Sequence, residues 1–242
     1  MRQGDWLQTY TGKQFYPLDP QPEDIDIQDI AHALSNVGRY NGHARRFYSV
    51  AEHSILVALH VAWDEDIDDD GRRTTLAALL HDASEAYLCD VPRPLKRMPE
   101  MVGYRTMERA VESVIAECFG LPDPMPAIVV HHDMRALATE YRDLVPNKIH
   151  DWRLPEPAWE DMPDGSLKTT ASAFAGMLDP AHLWKRTDDP FLWVERLFLA
   201  MFVRLTKGRW QQLATGARLA EFPEPANLQL VADVLEVDVT SV

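Results

Sequence analysis

The sequence predicts an all-α protein, a helical bundle with an irregular C-terminal excursion. Apolar residues recur at helical spacing in several long segments between residues 27 and 145, and again near 189–215. Strand-like alternation is confined to the tail, at 228–242. We therefore expect one domain with a core over about 27–145, an irregular insertion at 146–188 and a returning helix at 189–215.

Composition and charge exclude several classes of protein. Of 242 residues, 46% are hydrophobic and 26% charged, as in an ordinary globular domain. Because 24 Lys and Arg stand against 38 Asp and Glu, the formal net charge of −14 disfavours nonspecific binding to nucleic acid. Charges interrupt the most apolar late stretch, and the first residues contain no signal-like apolar segment, so we expect neither secretion nor a membrane span. Only Cys89 and Cys118 are present, in no CxxC pair, which favours a reducing, cytoplasmic setting.

The first half of the chain gives clear signals for two helices. Residues 1–24 lack periodicity and are expected to form an extended arm over the domain. Residues 27–36 predict a short helix that stops near Gly38, a residue that suits a C-terminal cap. A longer helix is predicted from Ser49 to Trp63, because Ser49 and Glu52 have the spacing of a capping box.

Three further helices are predicted after an acidic loop at 64–70. The first spans 74–88 and is ended by two prolines. The second covers about 100–119 and closes at Gly120, and the third covers 127–145. A short helix near 170–177 is the one element expected inside the insertion.

The chemically informative residues are His53, the adjacent His81 and Asp82, and Asp133, each inside a predicted helix. A carboxylate in an apolar helical run is costly to bury unless it is paired or bound to a metal. Imidazole with carboxylate suits a first-row divalent ion in a roughly octahedral site, which would leave positions for a water and a phosphoryl oxygen.

Each of these residues also has an ordinary structural explanation when taken alone. A single buried His53 would usually be a hydrogen-bonded core residue, and Asp133 near a helix start would usually be a cap or dipole partner. His131 and His132 beside it could be surface residues, and Asp90 before a proline could cap a turn.

The combination of residues favours a functional site. Glu85 follows His81 by four residues and Asp82 by three, so all three are expected on one helical face, which is too polar for plain core. The same segment continues to Asp90 and then to a proline-stiffened run that ends in Lys96.

These motifs resemble those of the HD-domain phosphohydrolases, and especially the 5′-deoxynucleotidases and the phage deoxyadenosine triphosphate hydrolases. The resemblance is carried by RYNGHARRFYSVAEHS at 39–54, by LLHDASEAYLCDVPRPLK at 79–96, and by the final aspartate with the following ALATEYRDLV run. It implies one divalent metal, with Co²⁺, Mn²⁺, Mg²⁺, Zn²⁺ and Fe²⁺ all compatible, whose ligands are His53, His81, Asp82 and Asp133. Asp143 is the fallback for the fourth ligand.

The resemblance also implies roles for the neighbouring residues. Glu85 positions or deprotonates the attacking water, and Asp90 contacts substrate and assists proton transfer. Arg39 holds the phosphate through its guanidinium fork. Tyr40 packs on the sugar and disfavours a 2′-hydroxyl, and Lys96 is placed among the substrate contacts.

The sequence departs from the family pattern at several positions. Tyr40 replaces a Trp-type residue, and Cys89 stands where the nucleotidases often have glycine, which predicts a less sharp turn. His43, Arg45 and Arg46 add positive charge beside the expected phosphate site. They either neutralise a longer phosphate chain or form a solvated turn whose arginines pair with the acidic loop.

The expected function is therefore metal-dependent hydrolysis of a 2′-deoxynucleotide, as a monophosphate or a triphosphate, with deoxyadenosine species as the first candidates. The alternatives are a di-iron oxygenase of the HD superfamily, for which His131 or His132 could supply an extra ligand, and a nonenzymatic nucleotide-binding module. The resemblance also implies a homodimer or higher homo-oligomer. Charge and hydropathy predict no nucleic-acid or membrane partner, and the expected location is the cytoplasm of a bacterial or phage-infected cell.

Overall fold

The computed structural model describes residues 2–64, 69–159 and 190–206, and this part of the chain is helical apart from one small hairpin. The all-α prediction is confirmed. The predicted helix at 170–177, the end of the 189–215 helix and the strand-like tail lie outside the described residues. The helices are α1 Ile27–Asn36, α2 Val50–Asp64, α3 Asp69–Leu79, α4 Glu85–Leu88, α5 Arg93–Lys96, α6 Val102–Phe119, α7 Ala127–Leu144 and α8 Pro190–Leu205.

Helix α2 is the centre of the fold and contacts α1, α3, α7 and α8. It is apolar on nearly all sides, as expected of a helix that other helices surround. The predicted capping box is confirmed: the Ser49 amide donates to Glu52 Oε2 at 2.7 Å, and the Glu52 amide donates to Ser49 Oγ at 3.1 Å. This start places His53 in the buried first turn of the central helix.

The predicted helix over 74–88 is wrong in one respect, because α3 ends at Leu79 and α4 begins only at Glu85. Between them the backbone hydrogen bonds join residues three apart, as in a 3₁₀ turn: the Ala83 amide donates to the Leu80 carbonyl, and the Glu85 amide to the Asp82 carbonyl. His81 and Asp82 therefore lie in a tight turn between two helices. Their side chains can point towards α2 because the α-helical register is interrupted there.

The N-terminal arm is held on the domain as expected, and part of it is a hairpin of Leu7–Gln8 with Gln14–Phe15. Phe15 is fully buried and stacks on Tyr87, with ring centroids 4.2 Å apart. Thr11 donates both its amide and its hydroxyl to the Asp29 carboxylate of α1. The arm therefore packs on the turn region that follows the His–Asp pair.

The cap expected at Gly38 is not a left-handed one, because α1 ends at Val37 in an extended conformation and Gly38 has an ordinary negative φ of −84°. Glycine is favoured at this position for a different reason: a Cβ there would lie 3.1 Å from the ring of Phe47. The cap predicted at Gly120 is confirmed, with φ 63° at the end of α6.

Helix α8 returns to the core as expected. Phe198 and Phe202 are fully buried, and Glu195 pairs with His32 of α1 at 3.0 Å. Among the described helices, none combines the length and the apolar character that crossing a membrane requires.

Candidate metal centre

His53 of α2 is completely buried and reaches three other side chains through one ring nitrogen. Its Nε2 lies 3.2 Å from His81 Nε2, 3.2 Å from Asp133 Oδ1 and 3.6 Å from Asp82 Oδ2. The opposite nitrogen, Nδ1, lies 2.6 Å from Glu140 Oε1. The four residues that carried the sequence prediction are thus brought to one point from α2, the α3–α4 turn and α7.

The tight turn places His81 and Asp82 side by side at this point. His81 Nε2 lies 3.3 Å from Asp82 Oδ2 and 3.9 Å from Asp133 Oδ1. Ligand atoms of His53, His81 and Asp82 lie within 4.8 Å of one another, as in a group that can hold a metal ion. We refer to His53, His81, Asp82 and Asp133 as the HD cluster.

The hydrogen bonds on the far side of the two imidazoles fix where their protons lie. His53 Nδ1 faces the Glu140 carboxylate, and His81 Nδ1 lies 2.7 Å from the Ala78 carbonyl. Both partners are acceptors, so each Nδ1 carries a proton and each ring, when neutral, turns an Nε2 lone pair towards the cluster. Two ring nitrogens 3.2 Å apart beside two carboxylates favour a positive charge between them, either a shared proton or a metal ion.

The electrostatics of the cluster lead to the same conclusion. Burial lowers the pKa of His81, but the neighbouring Asp82 and Asp133 outweigh it and raise this pKa to about 9. Partial burial acts to raise the pKa of Asp82, yet His81, His53 and Arg39 hold the pKa of this carboxyl far below the ordinary value. Two imidazole nitrogens and two carboxylate oxygens fit a divalent first-row ion, which would replace the proton as the shared cation.

Glu140 is a functional residue that the sequence reasoning missed. It is fully buried on α7, and its carboxylate accepts hydrogen bonds from His53, from the Tyr48 hydroxyl at 2.9 Å and from the Tyr40 hydroxyl. Burial raises the pKa of Glu140, but the opposing effect of His53 and Arg39 is larger and the net pKa is lowered. The carboxylate is therefore ionised. Its position seven residues after Asp133, two turns along the same helix face, was the available signal.

Arg39 and Tyr40 lie directly beside the HD cluster. Arg39 Nη1 is 3.2 Å from Asp82 Oδ2, and its Nε is 3.4 Å from Glu140 Oε2. Its guanidinium also lies 5.7 Å from the Tyr40 ring centroid. Tyr40 has a left-handed backbone, φ 58°, and its ring is 6.1 Å from that of Trp152. The expected phosphate-binding arginine is therefore at the cluster, in contact with one of its carboxylates.

A sequence model described as "HD domain" matches residues 32–149, the segment that contains every residue of the cluster. An uncharacterized protein of Escherichia coli (strain K12), YfdR, is 42% identical over 139 residues, which are 57% of this chain and 72% of that protein. The chain belongs to the HD-domain family. An uncharacterized protein of Rhodobacter capsulatus is also 42% identical, over 125 residues that cover 50% of this chain and 62% of its own length. The HD domain places the chain in a superfamily of metal-dependent hydrolases.

Glu85 of the HD domain lies in the electrostatic field of the cluster, at the start of α4. Its Oε1 is 3.2 Å from Lys96 Nζ, whereas its buried Oε2 has no hydrogen-bond partner in the described part of the chain. Burial, followed by the charges of Asp82 and Asp90, raises the pKa of this carboxyl well above its usual range. A buried carboxylate oxygen without a partner is suited to receive a water or a proton.

Lys96, expected among the substrate contacts, is engaged by two carboxylates of the protein. Its ammonium lies 3.2 Å from Glu85 and 2.6 Å from Glu108 Oε1, and these neighbours raise its pKa although burial lowers it. The structure thus makes Lys96 the partner that orients Glu85. Asp90 is half-buried, and burial followed by Asp82 raises its pKa, while Arg39 opposes the rise.

The absence of glycine at position 89 predicted a less sharp turn, and this prediction is wrong. Cys89 has φ 66° and ψ 157°, a region that is essentially reserved for glycine. Its carbonyl accepts a hydrogen bond from the Tyr104 hydroxyl at 3.1 Å. The chain therefore keeps the glycine-type turn that aims Asp90, at the cost of local backbone strain.

Replacing Cys89 with glycine should relieve this strain. We expect Cys89→Gly to raise the free energy of unfolding by about 1 kcal/mol, since a side chain in this region costs roughly 1–3 kcal/mol and glycine gives back part of that through chain entropy. Urea denaturation measures it. Cys89→Ala, which removes the thiol but keeps a Cβ, is the control and should show no gain. An equal gain in both variants would mean that the thiol, not the backbone, is the cause.

The basic residues are His43, Arg45 and Arg46, for which the sequence left two roles open: contact with a longer phosphate chain, or a solvated turn. Arg46 Nη1 donates to the Phe47 carbonyl at 2.7 Å and to Glu52 at 2.8 Å, so it pairs with the capping box of α2. His43 and Arg45 are exposed on the adjacent turn. Their contact with a longer phosphate chain stays a prediction.

Asp143, His131 and His132 do not join the HD cluster. Asp143, the fallback ligand, forms an ion pair with the adjacent Arg142 at 2.6 Å. His132 is not a surface residue as expected: it is buried, with Nε2 3.1 Å from Asp64 Oδ2. Exposed His131 lies 3.4 Å from Glu156. Within the described residues, neither histidine belongs to the group that could hold a metal ion.

Proposed function

We propose that this HD domain hydrolyses the phosphate bond of 2′-deoxynucleotides, with one divalent ion held by His53, His81, Asp82 and Asp133. The observation that carries the proposal is the convergence of two imidazole nitrogens and two carboxylates beside the largely buried Arg39. A bound divalent ion would supply Lewis acidity and a water of lowered pKa. The sequence resemblance to deoxynucleotidases and deoxyadenosine triphosphate hydrolases supports the substrate class, and the two free cysteines support a cytoplasmic setting.

Arg39 is the proposed phosphate ligand. Its ion pair with Asp82 uses one nitrogen of a guanidinium that has five N–H donors, and its Nε faces the Glu140 carboxylate at 3.4 Å. Donors directed at a phosphate next to a metal centre stabilise the charge that develops during phosphoryl transfer. Glu140 holds the arginine from behind, so the donors keep a fixed direction.

Glu85 and Asp90 are proposed to handle the protons. The partnerless Oε2 of Glu85 would accept the proton of the attacking water, and its raised pKa makes it a stronger base than an ordinary carboxylate. Lys96 holds the other oxygen of the same carboxylate. Asp90, whose pKa is also raised, would return a proton to the leaving oxygen.

The proposed preference for deoxyribose rests on Tyr40. Its hydroxyl is engaged by Glu140 and its ring stands between Arg39 and Trp152, so the ring cannot swing away from the phosphate site without breaking these contacts. A fixed ring beside the sugar leaves little room for a 2′-hydroxyl. The product formed, phosphate or tripolyphosphate, will show whether the substrate is a mono- or a triphosphate.

The test is hydrolysis of a panel of deoxy- and ribonucleoside mono-, di- and triphosphates by chelator-stripped protein, with and without Mn²⁺, Co²⁺, Mg²⁺ or Zn²⁺. We expect turnover only with added metal, and faster turnover of deoxynucleotides than of the matching ribonucleotides. Metal content is measured on the same samples. If one metal binds and nothing is cleaved, the chain is a binding module; if two irons bind and oxygen is consumed, it is an oxygenase.

A further inference from the structure

A cleft of about 410 Å³ lies between α6 and α7 and reaches the HD cluster. His81 and Asp133 form part of its wall, so anything bound in the cleft would touch the proposed metal site. The volume is within the range of roughly 300–1,000 Å³ of small-molecule sites. Glu85 and Asp90, to which the sequence resemblance gives catalytic roles, do not line this cleft, so most of the cleft has no assigned role.

The two sides of the cleft differ in chemistry. Its floor is apolar and buried, and includes Ile115, Leu121 and Val129. Its rim on α6 is polar and exposed, and consists of Arg109, Glu112 and Ser113. These three positions lie on one helix face because they are three and four residues apart. An apolar floor beside a polar rim suits a flat group with hydrogen-bonding edges, not a phosphate alone.

The rim offers both kinds of hydrogen-bonding group. Arg109 carries only donors and the Glu112 carboxylate carries only acceptors. Neither side chain forms a hydrogen bond or salt bridge to another described residue, so both are available to a ligand. A carboxylate accepts readily from an exocyclic amino group of a nucleobase.

We propose that this cleft binds the nucleoside part of the substrate, with the base against the apolar floor and Glu112 accepting from an amino group of the base. The inference rests on the proposed function, which places the phosphate at Arg39 and the HD cluster. It adds the substrate group that the cleft takes and predicts a preference for the amino-bearing bases adenine, cytosine and guanine over thymine.

The first test fills the cleft with a large side chain. Ser113→Trp should raise the KM for deoxynucleotides by at least about tenfold, because binding energy from the base is lost, while hydrolysis of 2-deoxyribose 5-phosphate, which has no base, stays within about twofold. Ala110→Trp is the matched control, since Ala110 is exposed on the same helix but does not line the cleft. Metal content should equal that of the native protein in both variants.

The second test reads base selectivity. Glu112→Gln should reduce the preference for amino-bearing bases over thymine without changing the turnover of 2-deoxyribose 5-phosphate. An unchanged deoxynucleotide KM in Ser113→Trp would overturn the cleft proposal and leave the hydrolase standing. If the native protein cleaves nothing, calorimetric titration with free deoxynucleosides still decides: binding that Ser113→Trp abolishes supports the cleft, and no binding to the native protein refutes it.

Discussion

The Glu85→Gln variant is expected to bind metal as the native protein does and to turn over deoxynucleotides about 10²–10⁴-fold more slowly, the usual contribution of a general base. Glutamine keeps the shape of the side chain and an oxygen for Lys96, but it cannot take a proton from water. The buried Oε2 of Glu85 has no other partner in the described structure, so proton transfer is the property that the change removes.

Steady-state kcat and bound metal, measured on one preparation, separate the possible roles of Glu85. A large fall in kcat with native metal content assigns Glu85 to the proton transfer. A parallel loss of metal would instead make it a structural support of the cluster. Glu117→Gln is the matched control, because Glu117 is an exposed glutamate on α6 outside the cleft, and it should change neither quantity.

The Glu140→Gln variant is expected to weaken metal binding by about 10–100-fold, the effect typical of removing the partner of a ligating histidine. The carboxylate is the acceptor for His53 Nδ1, and it keeps the other ring nitrogen free for the metal. It also accepts from two tyrosine hydroxyls, and an amide has only one acceptor oxygen for these donors. His53 therefore loses both its negative partner and its fixed orientation.

Titration against a competing chelator gives the metal affinity, and turnover at rising metal concentration gives a readout that a purely structural defect would not show. If Glu140 acts through His53, excess metal should restore much of the activity. Lost activity that no metal concentration recovers would point to misfolding or to a displaced Arg39. Asp143→Asn, on the same helix but paired with Arg142, should bind metal normally.

Much of the site could be anticipated because its ligands are marked by residue type. A histidine or aspartate in an apolar helical run needs a partner when it is buried, and this constraint is visible in the sequence at His53, at the His81–Asp82 pair and at Asp133. The capping box at Ser49 and the glycine cap at Gly120 were equally readable, since both are local interactions that depend on residues a few positions apart.

The errors came from interactions that join distant segments. Helical spacing alone continued one helix through 74–88, but the structure tightens the backbone after Leu79 and turns His81 and Asp82 towards α2. The sequence placed Lys96 among the substrate contacts and did not show that the fold would set it between Glu85 and Glu108. A sequence shows the charge of a side chain but not which opposite charge it will meet.

The sequence by itself determined the all-α class, the main helices and the side chains that meet in the HD cluster, because periodicity, capping and the cost of burying charge are local properties. Only the tertiary structure decided that Glu140 supports His53, that Arg39 lies against Asp82, and that a cleft between α6 and α7 reaches the cluster. Glu140 lies 87 positions from His53 and Arg39 lies 43 from Asp82. Contacts over such separations depend on how whole helices pack, which no local pattern specifies.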